Sequence, residues 1–124
     1  MSHITKVETR IIDKEILLAT LSELGHDYEE MRAIHFEGRS VPVNVAVWKK
    51  GGFRIGFSRR GDDDVYEMHS FGVSLGEAKA FHDKLHQRYA RRKLLKEAER
   101  QNFVLIQEKV FKDNRIRLVL RKVA

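Results

Sequence analysis

Residues 41 to 60, VPVNVAVWKKGGFRIGFSRR, constrain the fold more tightly than any other stretch of the chain. Val41, Val43, Val45 and Val47 occupy every second position, and Phe53, Ile55 and Phe57 repeat that spacing after Gly51-Gly52. Successive side chains of a strand point to opposite faces, so this period of two predicts two strands, each with one face turned to a core. A glycine pair between them supplies the positive φ of a tight turn, which makes the strands antiparallel neighbours.

The same reading extends outward. His3 to Ile12 is rich in β-branched residues and reads as a first strand, followed by Asp13 as N-cap of a helix through KEILLATLSEL that stops at Gly25. Met31 to Glu37 reads as a strand ending at Gly38-Arg39-Ser40, and VYEMHSF as another, entered through the turn Gly61 to Asp64. Four successive strands joined by short turns would form a meander. Ser74, with Glu77 three residues on, opens a long helix reaching Asn102. Phe103 to Phe111 and Ile116 to Val123 then form a second hairpin around Lys112 to Arg115. The expected fold is α+β: a mostly antiparallel sheet in the order β-α-β-β-β-β-α-β-β, with two helices covering one face.

At 124 residues, with 42% hydrophobic and 34% charged side chains, the chain is expected to form a single domain over residues 1 to 124. It has no cysteine, which excludes disulfides, thiolate metal sites and cysteine nucleophiles. No apolar run approaches the roughly 20 residues of a membrane helix. The expected location is the cytoplasm, or the plastid stroma for a plastid-encoded protein.

The formal charge of +6 is unevenly spread: residues 1 to 87 carry 12 Lys+Arg against 14 Asp+Glu, whereas residues 88 to 124 carry 12 against 4. Within the long helix, Arg88, Arg92 and Lys96 recur every four residues and line one ridge, with Arg91 and Lys93 beside it. Arg115, Arg117 and Arg121 alternate on the last strand and extend the positive region. Such a layout suits an acidic protein partner, and alternatively RNA or DNA, although no aromatic residues interleave with the charges to stack bases. The apolar stripe Ala78, Phe81, Leu85, Tyr89 does not continue along the helix but resumes at Ala90, Leu94, Leu95 and Ala98. Either the helix bends there or its second half packs on something different.

Signatures of chemistry are few. His82 and His86 have the i, i+4 spacing that can hold one metal, but Asp83 stands where the zinc-protease motif needs Glu. Asp62-Asp63-Asp64 lacks the Gly and Glu of a calcium loop, and neither a phosphate-binding glycine loop nor a nucleophile elbow is present. No cofactor is expected, and a non-enzymatic role is favoured. Trp48 and Tyr66 fall opposite the core-facing alternation of their strands and are expected on the second sheet face.

MSHIT at the start, DYEE at 27 to 30, GFRIGFSRRGD at 52 to 62, QRYA at 87 to 90, EAERQNF at 97 to 103 and RIRLVLRKV near the end resemble the domain of unknown function 1257 family, the plastid hypothetical reading frame 35 proteins. The resemblance runs almost the full length. It implies a setting beside a smaller companion, a ferredoxin-like protein and an AAA-type ATPase, and hence an accessory or adaptor role. It carries no catalytic residues. The ARRKLL stretch after QRYA is more basic than the family pattern.

Overall fold

A computed structural model describes residues 4–49, 51–113 and 115–123. The elements run β1 (Ile4–Glu8), α1 (Lys14–Glu23), β2 (Tyr28–Glu30), β3 (Ala33–Phe36), β4 (Arg39–Pro42), β5 (Val45–Lys49), β6 (Gly52–Ser58), β7 (Glu67–Phe71), α2 (Leu75–Arg100), β8 (Phe103–Val110) and β9 (Ile116–Lys122). The fold is α+β, and every strand pair is antiparallel. The predicted first strand's start at His3, and Asn114 in the last turn, lie outside the described residues.

Both helices begin where the sequence places a cap. The Asp13 carboxylate accepts from the Ile16 N–H at 3.0 Å, and the Ser74 hydroxyl from the Glu77 N–H at 3.1 Å. Helix α1 ends as glycine chemistry dictates: Gly25 sits at φ +78°, its N–H donates to the Ser22 carbonyl, and the His26 N–H donates to the Leu21 carbonyl. These are the two bonds of a Schellman terminus.

Five strands form the main sheet in the order β1-β7-β6-β5-β2. On one face, Val45, Val47, Ile55, Phe57, Tyr66 and Met68 meet Ile16, Leu17 and Leu21 of α1 and Phe81, Leu85 and Tyr89 of α2. The helices thus cover one face, as expected. The other face is closed by the β3–β4 hairpin, whose Ile34 and Val43 pack on Ala46 and Phe71.

That hairpin corrects the sequence reading. Residues 41 to 50 are not one strand: the chain leaves the sheet at Val43-Asn44, so Val41 and Val43 join the second cluster while Val45 and Val47 belong to the first. Asn44 marks the break, its N–H donating to the Phe57 carbonyl and its side-chain oxygen accepting from the Arg59 N–H. Glu37 and Gly38 both adopt positive φ, so the expected strand end at Gly38 is a two-residue hairpin turn. Phe53 also departs from the face of Ile55 and Phe57, because a register shift pairs Val47 with Ile55 but Trp48 with Phe53. Tyr66 is buried in the first cluster rather than on the second face, edge-on to Phe57 with the Arg59 guanidinium over its ring. Trp48 is 45% exposed and packs edge-on against Phe53. Short strand β2, in the DYEE stretch, has no signature in the sequence pattern because three residues carry no periodicity.

Candidate functional site

Helix α2 spans 26 residues, about 39 Å at 1.5 Å per residue. Its first half buries Ala78, Phe81, Leu85 and Tyr89 on the sheet. After Asn102, which turns the chain at φ +63°, β8 runs back along the second half of α2, and Ala98 is buried there. The resumed apolar stripe is only partly covered: Ala98 is buried and Leu95 half-buried where α2 runs beside the C-terminal hairpin β8–β9, a separate two-stranded sheet, whereas Ala90 and Leu94 face solvent.

The positive ridge lies where these three bodies meet, and most of it faces acids. Arg92 Nε donates to Glu23 of α1 at 2.6 Å, with Arg88 Nε 3.7 Å from the same carboxylate. At that length the Arg88 contact is an ion pair without a hydrogen bond, which fits the absence of any partner for its buried Nε. Arg91 makes a two-pronged bond to Glu108 of β8, Nε at 2.6 Å and Nη2 at 2.8 Å. This bond holds the Glu108 carboxyl below its ordinary range and raises the Arg91 guanidinium. Lys96 lies 3.8 Å from Asp13, the cap of α1. The ridge is thus an electrostatic seam joining α1, α2 and β8, with Arg88, Arg91, Arg92 and Lys96 matched by Glu23, Glu108 and Asp13. Lys93 is exposed with its ammonium 5.8 Å from the Tyr89 ring centre.

Beyond the seam the picture changes. Arg115 pairs with Asp113 at 2.7 Å near the hairpin tip, but Arg117 and Arg121 are exposed and have no acidic partner among the described residues. Cross-strand partners share a face, so the register pairing Val104 with Arg121, Gln107 with Val119 and Lys109 with Arg117 puts these six together. The opposite face carries Glu108 toward Arg91, together with the half-buried Ile116, Leu118 and Leu120. The Arg117/Arg121 face therefore looks away from α2. It is mixed: Val104 is 40% exposed, and Ile106, displaced by a bulge in β8, is 53% exposed. Charge patterning points to the arginines and not to these apolar residues. Their signal was the unbroken run FVLI at 103 to 106, which leaves apolar side chains on both faces of a strand that can bury only one.

His82 and His86 lie with ring centres 4.0 Å apart and planes tilted by 31°, yet three of their four ring nitrogens have contacts of their own. His86 Nδ1–H donates to the His82 carbonyl at 2.8 Å, its Nε2 accepts from the Arg10 N–H at 3.3 Å, and His82 Nδ1 contacts Asp83 at 3.1 Å. Burial holds His86 below its ordinary pKa, in keeping with a neutral ring that accepts at Nε2. One turn on, the Tyr89 hydroxyl accepts from the N–H groups of Ile12 and Asp13. Both residues thus fasten the β1–α1 connection to α2. Among the described residues, no three His, Asp or Glu side chains gather in a metal-binding arrangement. No helix is long and apolar enough to cross a membrane.

Compared with known proteins, residues 20–119 match the family described as protein of unknown function (DUF1257). The chain is 27% identical over 127 residues to the uncharacterized protein ycf35 of Cyanophora paradoxa and 30% identical over 129 residues to that of Pyropia yezoensis, in each case covering 98% of both chains. No solved structure matches.

Proposed function

The chain belongs to the DUF1257 family, and from that premise we propose that it is a non-enzymatic adaptor that binds an acidic protein partner through the outer face of its C-terminal hairpin. One observation carries the reading: Arg117 and Arg121 lie exposed beside Val104 and Val119 with no acid to meet them among the described residues, while Arg88, Arg91, Arg92 and Lys96 of α2 are already matched. Exposed guanidiniums beside the exposed Val104 and half-buried Val119 suit a partner with carboxylates around an apolar patch. The α2 seam supports this face indirectly, because Arg91–Glu108 holds the hairpin against the helix. The family resemblance supplies the setting, an assembly with an AAA-type ATPase and a ferredoxin-like protein.

Purified forms of those two proteins from the same genome are the probes, with affinity measured by titration calorimetry over a salt series. Arg117→Glu with Arg121→Glu should weaken binding at least about tenfold, because removing and reversing charge at an interface costs more than 1.4 kcal/mol. Arg88→Glu should do far less to binding, since Arg88 already faces Glu23. Equal affinity of wild type and the double variant would overturn the proposal. So would binding to RNA or DNA with a steep fall in log K against log salt and none to either protein, which would assign the face to phosphate.

A further inference from the structure

Strand β1 is an outer strand of the five-stranded sheet, and its free edge has an unusual character. The Thr9 N–H donates to the Tyr66 carbonyl at 2.9 Å, and the β1–β7 register places Val7 opposite Met68 and Thr5 opposite Ser70. By antiparallel alternation, Thr5, Val7 and Thr9 face their backbone groups toward β7, which leaves those of Ile4, Lys6 and Glu8 on the open side. No proline or bulge protects this edge. Beside it lies a groove of about 370 Å³ between β1 and the start of α2, lined by Thr5, Val7, Met68, Leu75 and Ala78 among others. Val7 is 43% and Leu75 75% exposed.

We infer that β1 pairs antiparallel with β1 of a second copy of this chain, centred on Val7, to join the two sheets across a twofold axis. Charge complementarity selects both the occupant and the register. Centring on Val7 sets Lys6 opposite Glu8 of the other copy, twice by symmetry, and sets Val7 against Val7 on the groove side. Lys6 and Glu8 are also the residues whose backbone groups point outward, so each Lys6–Glu8 pair is a hydrogen-bonded one. Centring on Lys6 or Glu8 would instead oppose like charges. The other edge, β2, offers no such match, because its adjacent acids Glu29 and Glu30 have no base on the strand to face, whereas Lys6, although 3.4 Å from Glu67 of its own sheet, is 62% exposed and open to a second carboxylate. A twofold contact made of one self-complementary patch is the usual form of a homodimer. It would also cover Val7 and Leu75 from water.

Light scattering after size exclusion at high micromolar protein tests the pairing. The expected mass is twice 14.5 kDa, and a monomer at every concentration would overturn the inference. Lys6→Pro removes an N–H that points away from β7, so the fold should survive, by circular dichroism, while the dimer is lost. Lys6→Glu alone should dissociate it, and the exchange Lys6→Glu with Glu8→Lys should restore it. The chain has no cysteine, so Val7→Cys introduces a single thiol on the proposed axis. Opposed residues of a non-hydrogen-bonded pair lie about 4.5 Å apart at Cα, within disulfide reach. Oxidation should cross-link Val7→Cys and leave Thr5→Cys monomeric on a denaturing gel. A dimer indifferent to Lys6→Pro and unlinked at Val7→Cys would form elsewhere and would refute the β1 assignment.

Discussion

Gly56 shows how one residue governs which layers this protein can have. It sits in β6 under the β3–β4 hairpin, and a Cβ there would lie 2.6 Å from Val43 Cγ1 and 3.0 Å from Ile34 Cδ1. Neither neighbour is a long flexible side chain, so the hairpin would have to lift. Gly56→Ala is expected to destabilise the fold by about 1–3 kcal/mol, the usual cost of overpacking, measured by urea denaturation. Combining it with Val43→Ala should cost less than the two changes added, because the truncation removes the clashing methyl. Strict additivity would show that the two sites do not touch.

Among the elements, the C-terminal hairpin differs from the rest in having little core of its own. Every β8 residue after Phe103 is exposed, and the hairpin is held by half-buried Leu118 and Leu120, the buried Ala98 of α2 and the Arg91–Glu108 pair. Elements with few buried contacts open first, ahead of global unfolding. Arg91→Ala should therefore raise amide hydrogen exchange across β8 and β9 about fivefold, the equivalent of about 1 kcal/mol for a charge-assisted bond. Exchange in β5, β6 and β7 should stay as it was. Equal acceleration in the main sheet would show that the hairpin does not open separately.

For the molecule as a whole, stability should depend on pH through three histidines. Burial lowers His26, against the Phe81 ring; His69, whose Nε2 lies 2.9 Å from the Ser58 hydroxyl; and His86, bonded to Arg10 and His82. The unfolded chain takes up protons near the ordinary 6.5, where the folded chain still resists them. Their contribution is therefore fully present above 6.5 and is lost as pH falls through the lower folded values. The melting temperature should drop between pH 7.5 and 5, and His86→Gln should reduce the slope. A melting temperature that is flat or rises on acidification would contradict this account.

The local devices are legible from residue order alone, because each depends on neighbours within a few residues. Asp13 and Ser74 as caps, Gly25 as a stop, the α2 stripe through Tyr89 and the antiparallel β5–β6 pair all stand where composition and spacing put them. The remaining features arise from contacts between segments far apart in the chain. Whether Val41 shares a face with Val45 depends on the chain leaving the sheet at Asn44, which serves to cover Gly56 and Phe71 from the far side. Whether an arginine is free or matched depends on which acid is folded beside it. Glu23 is 69 positions before Arg92 and Glu108 is 17 after Arg91, separations that no periodicity encodes. Local pattern carries the choice of helix or strand, while the charge left open to a partner emerges only once distant segments pack.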